Sequence, residues 1–256
     1  MLISQVIMLK WLSGNPNHVF GNHLHGFFFK EILGSHDPNL ASMLHDPNAY
    51  KPFSISHLFN HDNIYWFRIT SWNNETIAQA VFAYFCHHSK IRLHSCEFEL
   101  IKTTTDPQET CWSNKQTWEN IIQTSIDRPF EKFRLDHFSY TSFKSGNAHI
   151  PLPVPDLIIK SLVNKLPDTI KQHMDHMDIC DNDLLEYIRL KGHTIHSKYH
   201  KETYGAIASF MGITRWQIEH KAPGPHKFLL NILFHFAFYA GIGVKTTQGM
   251  GMCRIT

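Results

Sequence analysis

The C-terminal stretch FLLNILFHFAFYAGIGVKTTQGMGMCRIT, residues 228–256, decides the fold of this chain. It begins with an apolar, aromatic run, continues through two Gly-x-Gly pairs and ends in a short apolar segment. This order predicts a helix, a glycine-rich loop and a final β-strand. Glycine allows another molecule to approach the backbone closely, and exposed N–H groups beside Lys245 suit a phosphate group.

The order of these elements argues against the familiar nucleotide-binding loops. A dinucleotide-binding glycine loop follows a strand and opens a helix, whereas here the helix comes first. A Walker loop carries Lys-Ser/Thr directly after its last glycine, but Gly251 is followed by Met252 and Cys253. A plain glycine-rich turn into the last strand remains the alternative to a phosphate-binding loop.

The N-terminal half shows alternating strand and helix patterns. Leu24, Phe28 and Ile32 share one face of a predicted helix, and Asp37-Pro38 has the residues of a helix start. Together the segments follow the order β-α-β-β-α-β, which is the ferredoxin-like pattern. The predicted strands are 4–10, 53–58, 64–72 and 95–104, and the predicted helices are 22–33, 37–45 and 75–84.

The C-terminal half repeats this pattern with insertions. We therefore expect an α+β protein of two tandem ferredoxin-like βαββαβ domains. The expected boundaries are 1–105 for the first domain, 106–129 for a linker and 130–256 for the second domain. The predicted strands are 134–144, 193–200, 203–220 and the final segment, and the predicted helices are 118–122, 156–165, 182–190 and 228–239.

Charge is distributed unevenly along the 256 residues. From Arg189 to the C-terminus there are 9 Lys and Arg against 2 Asp and Glu, a net charge of +7, although the whole chain has a net charge of only +2. Such a basic region indicates an anionic partner, with a solvated basic face as the alternative. The 5 cysteines include no Cys-x-x-Cys pair, which favours a reducing cytoplasm over a disulfide framework. The apolar run near 228–243 is short for a membrane span.

Twenty histidines are unusual for this length. Two groups have spacings that a metal ion could use, but no paired cysteine or carboxylate set completes either group. We therefore expect no metal and no other cofactor. If 193–200 is a strand, His196, Lys198 and His200 share one face and form a basic strip. The two groups are His173 with His176, and His193 with His196 and His200.

Three blocks of sequence together resemble the CRISPR repeat-processing endoribonucleases, the sixth Cas family. The glycine loop after an apolar helix is one of them, and a weaker match is Phe138 to Lys144 before a proline-rich helix entry. The remaining block lies near the N-terminus and comprises Leu24-His-Gly26, Pro38-Asn-Leu-Ala-Ser-Met-Leu-His45 and Lys51-Pro-Phe-Ser-Ile-Ser56. The resemblance extends over nearly the whole chain.

The resemblance implies a tandem ferredoxin-like protein that cuts the repeat in precursor CRISPR RNA without a metal. The ribose 2′-hydroxyl attacks the adjacent phosphate and leaves a 2′,3′-cyclic phosphate. The implied partners are CRISPR repeat RNA and guide RNA, together with other Cas proteins of an effector complex in a prokaryotic cytoplasm. A non-catalytic RNA-binding subunit of such a complex is the alternative, and no membrane is implied.

This chemistry needs a base, a cation for the phosphorane charge and an acid. By position in the family pattern, His45 is the expected base and Lys51 the expected cation. His25 is a rival for the base, and the end of a helix would favour protonated His45. Some family members carry a tyrosine on the first helix as acid. Here Phe28-Phe29-Lys30 stands in that region, so the acid stays open between Lys30 and His25.

Basic residues and the glycine loop are the expected RNA contacts, because phosphate binding draws on cations and backbone N–H groups. His196 and His200 are additional candidates on the same basic region. The expected RNA-binding residues are Gly241, Gly243, Lys245, Thr246, Thr247, Gln248, Gly249, Gly251, Lys198, Lys201, Arg215 and Lys227.

Overall fold

The computed structural model describes residues 1–202 and 205–256, and the side chains of 200–202 and 205 lie outside that description. The chain divides into two compact units. The N-terminal unit is Met1–Gln116 together with Thr247–Gly249, and the C-terminal unit is Thr117–Thr246 together with Met250–Thr256. Within the described residues, no helix combines the length and the apolar character that crossing a membrane needs.

The N-terminal unit is an antiparallel sheet with helices on one face. Its strand order is β2-β4-β1-β6-β5, with β3 paired to β4 and β7 paired to β1. The first four strands of that order form the ferredoxin-like arrangement, because β1, the first strand, lies between β4 and β6. The strands are β1 Leu2–Ser13, β2 Phe53–Ile55, β3 Phe59–His61, β4 Ile64–Trp72, β5 Lys90–Leu93, β6 Cys96–Thr104 and β7 Asn114–Gln116.

A continuous helix that combines α-helical and π-helical segments follows β1 and a short 3-10 turn. It begins as an α-helix, continues as a π-helix over Phe28–Leu33 and ends in a single α-helical turn. Phe28, Phe29, Ile32 and Leu33 are all buried against the sheet. The helices of this unit are α1 Gly21–Phe27, α2 Gly34–His36, α3 Pro38–His45 and α4 Glu75–His87.

The side chain of Asp37 caps α3, accepting a hydrogen bond from the backbone N–H of Leu40. Pro38 is the first residue of that helix, where its missing N–H costs no hydrogen bond. The helix start predicted at Asp37-Pro38 is therefore confirmed, and the helix ends at His45 as expected.

The C-terminal unit repeats the same arrangement. Its four-stranded sheet has the order β11-β12-β8-β13, so that its first strand again lies inside. Two long strands, β11 and β12, form an antiparallel ladder. The strands are β8 Lys132–Thr141, β9 Phe143–Ser145, β10 Ala148–Ile150, β11 Ile188–Glu202, β12 Gly205–Ile218 and β13 Cys253–Ile255, and β9 pairs separately with β10.

The core of this unit forms where α9 covers the sheet. Phe133 and Leu135 alternate along β8 with exposed Lys132 and Arg134, which is the period of a half-buried strand. Phe234 of α9 packs against Phe133 with ring centroids 4.6 Å apart. The helices are α5 Trp118–Asp127, α6 Pro155–Val163, α7 Asp168–His176, α8 Asp181–Leu185 and α9 Gly224–Ala240.

The predicted fold class, α+β with two ferredoxin-like domains, is confirmed, while some local predictions were wrong. The helix expected over 182–190 ends at Leu185, and β11 begins at Ile188. Helix α7 was not predicted. Strand β7 lies inside the stretch 106–129 that was predicted as a linker, and helix α5, predicted at 118–122, extends to Asp127. The domain boundaries stay a prediction.

Candidate active site

Two histidines of the N-terminal unit both contact one phenylalanine. His25 on α1 and His45 at the end of α3 have ring centroids 6.3 Å apart. Both rings meet the ring of buried Phe29 edge-on, at 4.7 Å from His25 and 5.1 Å from His45. His45 is exposed and His25 is partly buried. Two of the predicted catalytic residues are thus close enough to act on one substrate group.

The orientation of His25 is fixed by a hydrogen bond. Its Nδ1 lies 3.0 Å from the backbone carbonyl oxygen of Thr247. A carbonyl can only accept, so Nδ1 carries the hydrogen and donates it. In the neutral ring, Nε2 then has a free lone pair, which is the form that a general base needs.

Burial lowers the pKa of the His25 imidazole below its ordinary value of 6.5. The hydrogen bond to Thr247 opposes this shift, and the positive charges of His45 and Lys51 add to it. The neutral form of His25 therefore predominates at neutral pH. Lys51 therefore lies close enough to His25 for its charge to act on the imidazole.

Lys51 lies between α3 and β2, where its Nζ donates a hydrogen bond to the carbonyl oxygen of Asp46 at 2.7 Å. This contact holds the ammonium group beside the C-terminal end of α3, next to His45. Lys30, the other acid suggested by the sequence, is exposed and lies 3.5 Å from the carboxylate of Glu31.

Three residues of the glycine loop belong to the N-terminal unit. Besides Thr247, they include Gly249, whose N–H donates to the carbonyl oxygen of Ile55 at 2.9 Å. A Cβ on Gly21 would overlap the carbonyl group of Gln248. Because Gly21 has no side chain, residues 247–249 can pack directly against the start of α1.

The rest of the loop belongs to the C-terminal unit and is held by backbone hydrogen bonds. The N–H of Ile242 donates to Gly251, that of Val244 to Ser142, and that of Gly251 to Tyr140, at 2.8 to 2.9 Å. Gly243 has φ +85°, and a Cβ there would overlap the carbonyl oxygen of Ser142. Only glycine fits at this position.

The remaining predicted RNA contacts differ in exposure. Lys198, Arg215 and Lys245 are exposed, whereas Thr246 is buried. Arg215 lies directly opposite Arg134 across β12 and β8. Like charges in such a position repel, so the pair suits an anion that binds over it.

Of the other two predicted RNA contacts, Lys227 is held in an ion pair and the side chain of Lys201 lies outside the described residues. Lys227 forms an ion pair with Glu131, with 3.0 Å between Nζ and Oε1. That partner reduces its availability to a phosphate. The side chains of Lys201 and His200 lie outside the described residues, and His196 is exposed on β11.

His173 and His176, one of the two histidine groups with metal-like spacing, make other contacts. Nδ1 of His173 lies 2.7 Å from the carbonyl oxygen of Thr169, and Nδ1 of His176 lies 2.6 Å from that of Gln172. Both carbonyls belong to or adjoin the same helix, α7. The part of the chain that the structure describes contains no group of three or more His, Cys, Asp or Glu residues arranged to hold a metal ion.

Sequence analysis missed Lys165, which lies just after α6. Its ammonium group donates hydrogen bonds to the carbonyl oxygens of Gly241 and Gly243, each at 3.0 Å. A lysine after an amphipathic helix has no sequence signal that marks such a role. Only the three-dimensional contacts reveal it.

The fold matches those of several solved Cas6 structures. One Cas6 product complex is 22% identical, with TM-score 0.78 and coverage of 100% of this chain and 99% of that one. Another Cas6 product complex is 19% identical, with TM-score 0.80 and full coverage of both chains. A Thermus thermophilus Cas6 is 22% identical, with TM-score 0.74 and coverage of 100% and 98%. At these identities the likeness concerns the fold.

The sequence matches models of one protein family in both halves. Residues 1–81 match the CRISPR Cas6 N-terminal domain, and residues 135–253 match the CRISPR-associated endoribonuclease Cas6. No curated protein matches the chain. The two family models together cover more than half of the sequence and include the histidine site and most of the glycine loop. The chain therefore belongs to the family of CRISPR-associated endoribonucleases called Cas6.

Proposed function

We propose that this protein is a metal-independent endoribonuclease that cuts precursor CRISPR RNA within its repeats. Membership of an endoribonuclease family gives the class of reaction. Related Cas6 chains have been solved as product and substrate-mimic complexes, which supports repeat RNA as the substrate here. The observation that carries the mechanism is the pair of histidines, with His25 oriented by Thr247.

In the proposed reaction, Nε2 of neutral His25 removes the proton from the ribose 2′-hydroxyl. The oxygen attacks the adjacent phosphorus, and the bond from phosphorus to the 5′-oxygen breaks. The products are a 2′,3′-cyclic phosphate and a 5′-hydroxyl end. One proton is taken from the 2′-oxygen and one is delivered to the 5′-oxygen, so the step is balanced without water or a metal.

His45 is the proposed acid and Lys51 the proposed electrostatic stabiliser. His45 is the last residue of α3, and its ring centroid lies 6.3 Å from that of His25, so both rings can serve one phosphodiester. Lys51 would face the negative charge that develops on the phosphorane. The family pattern favours His45 as the base, with His25 as its rival. The hydrogen bond from His25 to Thr247 supports the opposite allocation.

The reaction is tested with a CRISPR repeat RNA in EDTA and with the same RNA carrying a 2′-deoxy nucleotide at the cut site. Cleavage should continue in EDTA and stop in the deoxy substrate, while both RNAs bind equally. Cleavage that EDTA abolishes would overturn the metal-free mechanism. Binding of the natural RNA without any cleavage would instead identify an RNA-binding subunit of an effector complex, the alternative function.

A further inference from the structure

Lys165 makes three hydrogen bonds within the C-terminal unit. Besides the carbonyl oxygens of Gly241 and Gly243 at 3.0 Å, its Nζ contacts Oγ of Ser161 at 3.2 Å. Two of these acceptors belong to the first Gly-x-Gly pair of the loop. An ammonium group has three hydrogens to donate, and here each has an oxygen to receive it.

Ser161 completes the contact from the last turn of α6. Its Oγ accepts a hydrogen bond from the N–H of Gly243 at 2.8 Å. Ser161 and Lys165 thus bind both polar groups of Gly243, one at each end of the residue. Backbone groups of a loop have no ladder to satisfy them, so such side-chain partners decide its conformation.

We propose that Lys165 is the positioning residue of the glycine loop and holds Gly241 and Gly243 in the conformation that binds RNA. That the loop binds RNA rests on the proposed function. The role of Lys165 itself rests on contacts within the free protein. Lys165 is partly buried and donates its hydrogen bonds to the loop, mainly to backbone carbonyls. Its role is therefore to shape the loop rather than to contact phosphate.

The protonation of Lys165 should control this contact. Desolvation lowers the pKa of Lys165 to about 7, and the nearby Cys253 thiol acts in the opposite direction. On the adjoining helix, Lys160 and Asp156 pair with each other at 2.8 Å. A neutral amine has only two hydrogens to donate, so one of the three oxygens loses its partner as the pH rises above 7.

Hydrogen exchange of the free protein tests the positioning role without RNA. Replacing Lys165 with methionine keeps an unbranched side chain that is one atom shorter and removes every donor. Amides of residues 242–251 should lose about tenfold of their protection in Lys165→Met at pH 6.5. In the wild type, the protection factors should fall toward those of the variant at pH 8.5. Equal protection in both proteins at pH 6.5 would overturn the proposal.

RNA affinity supplies the second readout. The Kd of Lys165→Met for repeat RNA should be about tenfold above the wild-type value at pH 6.5, and at pH 8.5 the wild-type Kd should rise toward that of the variant. Lys171→Met is the matched control, because Lys171 is a neighbouring lysine near Asp168. The Kd of this variant should equal that of the wild type at both pH values. Equal losses of affinity in the two variants would count against Lys165 and indicate a general charge effect.

A folding defect is separated by a milder variant and by the thermal unfolding midpoint. Ser161→Ala keeps the ammonium group but removes one of its acceptors and the acceptor of the Gly243 N–H, so it should give a smaller change in the same direction at the loop amides other than that of Gly243. If Lys165→Met unfolds, Ser161→Ala decides the proposal through the same exchange measurement. A wild type that binds no repeat RNA would overturn the proposed function, whereas the exchange result would still decide the role of Lys165.

Discussion

His25 in the N-terminal unit and Lys165 in the C-terminal unit both donate hydrogen bonds to backbone carbonyls of the glycine-rich stretch. His25 binds Thr247 through one nitrogen, whereas Lys165 binds Gly241, Gly243 and Ser161 with all three hydrogens of its ammonium group. The imidazole therefore keeps a second nitrogen for chemistry, and the lysine keeps no donor. The same type of contact orients a reactive group in one unit and shapes a loop in the other.

The largest expected effect is the loss of either histidine. His25→Ala and His45→Ala should each slow single-turnover cleavage about 10³-fold, because each removes a proton-transfer group. Repeat RNA should bind with nearly unchanged affinity. The double variant should be little slower than either single variant, because the two groups act in one step.

His36→Ala is the matched control, because His36 is an exposed histidine on the neighbouring α2. Its cleavage rate should equal that of the wild type. Wild-type cleavage by His25→Ala, with His45→Ala inactive, would remove His25 from the role of base.

A smaller effect is expected from a single methyl group on α1. Gly21→Ala would push against the carbonyl group of Gln248 and the Cα of Gly249, which are neighbours of Thr247. Displacing this segment should misplace His25 and slow cleavage about 10²-fold, as a shift of about 1 Å can do in an active site.

Gly26→Ala offers a close control on the same helix, since a Cβ there meets no heavy atom within 4 Å. It should cleave at the wild-type rate and stabilise the helix slightly. Equal rates for the two variants would show that the contact between α1 and Gln248 does not position the site.

The smallest effect concerns stability rather than activity. Burial lowers the pKa of His137 on β8 from 6.5 to about 3. Between these values the unfolded chain binds a proton that the folded protein excludes, so stability falls as the pH drops below 6.5. The slope should reach about 1.4 kcal/mol per pH unit for this one group.

Urea unfolding between pH 7 and pH 4 measures this slope. His137→Gln should reduce the slope of stability against pH by about 1.4 kcal/mol per pH unit, which is the contribution of one proton. The variant also loses the contact between Nε2 and Oγ1 of Thr214 at 3.1 Å, and this loss is allowed for separately. An unchanged slope in the variant would show that other groups cause the acid sensitivity.

Most of the fold could be predicted from the sequence because its long elements are either periodic or apolar throughout. Strand β8 buries alternate residues, and helix α9 is a long apolar run that is buried on nearly every side. Helix α7, with the sequence DTIKQHMDH, buries only Ile170 and Met174, and so few apolar positions give a weak signal. The end of the predicted helix at 182–190 was wrong because the same residues begin a strand.

The candidate site could be predicted only in part. His45 and Lys51 lie six residues apart in a recognisable motif, so the sequence groups them. The contact between His25 and Thr247 joins residues 222 positions apart, and no local pattern encodes it. Lys165 was missed for the same reason, since its partners Gly241 and Gly243 lie 76 and 78 positions away.

The π-helical segment Phe28–Leu33 decides where the number of residues in the first helix matters. A π-helical turn holds about one residue more than an α-helical turn, and each residue of an α-helix turns the chain by about 100°. Deleting one residue there and restoring regular α-helical winding would therefore leave α1 in nearly the same rotation, and His25 would still face Thr247. Adding or removing a residue in the regular winding between His25 and Phe28 would instead rotate α1 by about 100° and turn His25 away from Thr247. The π-helical segment is therefore the part of this helix that should tolerate the loss of one residue.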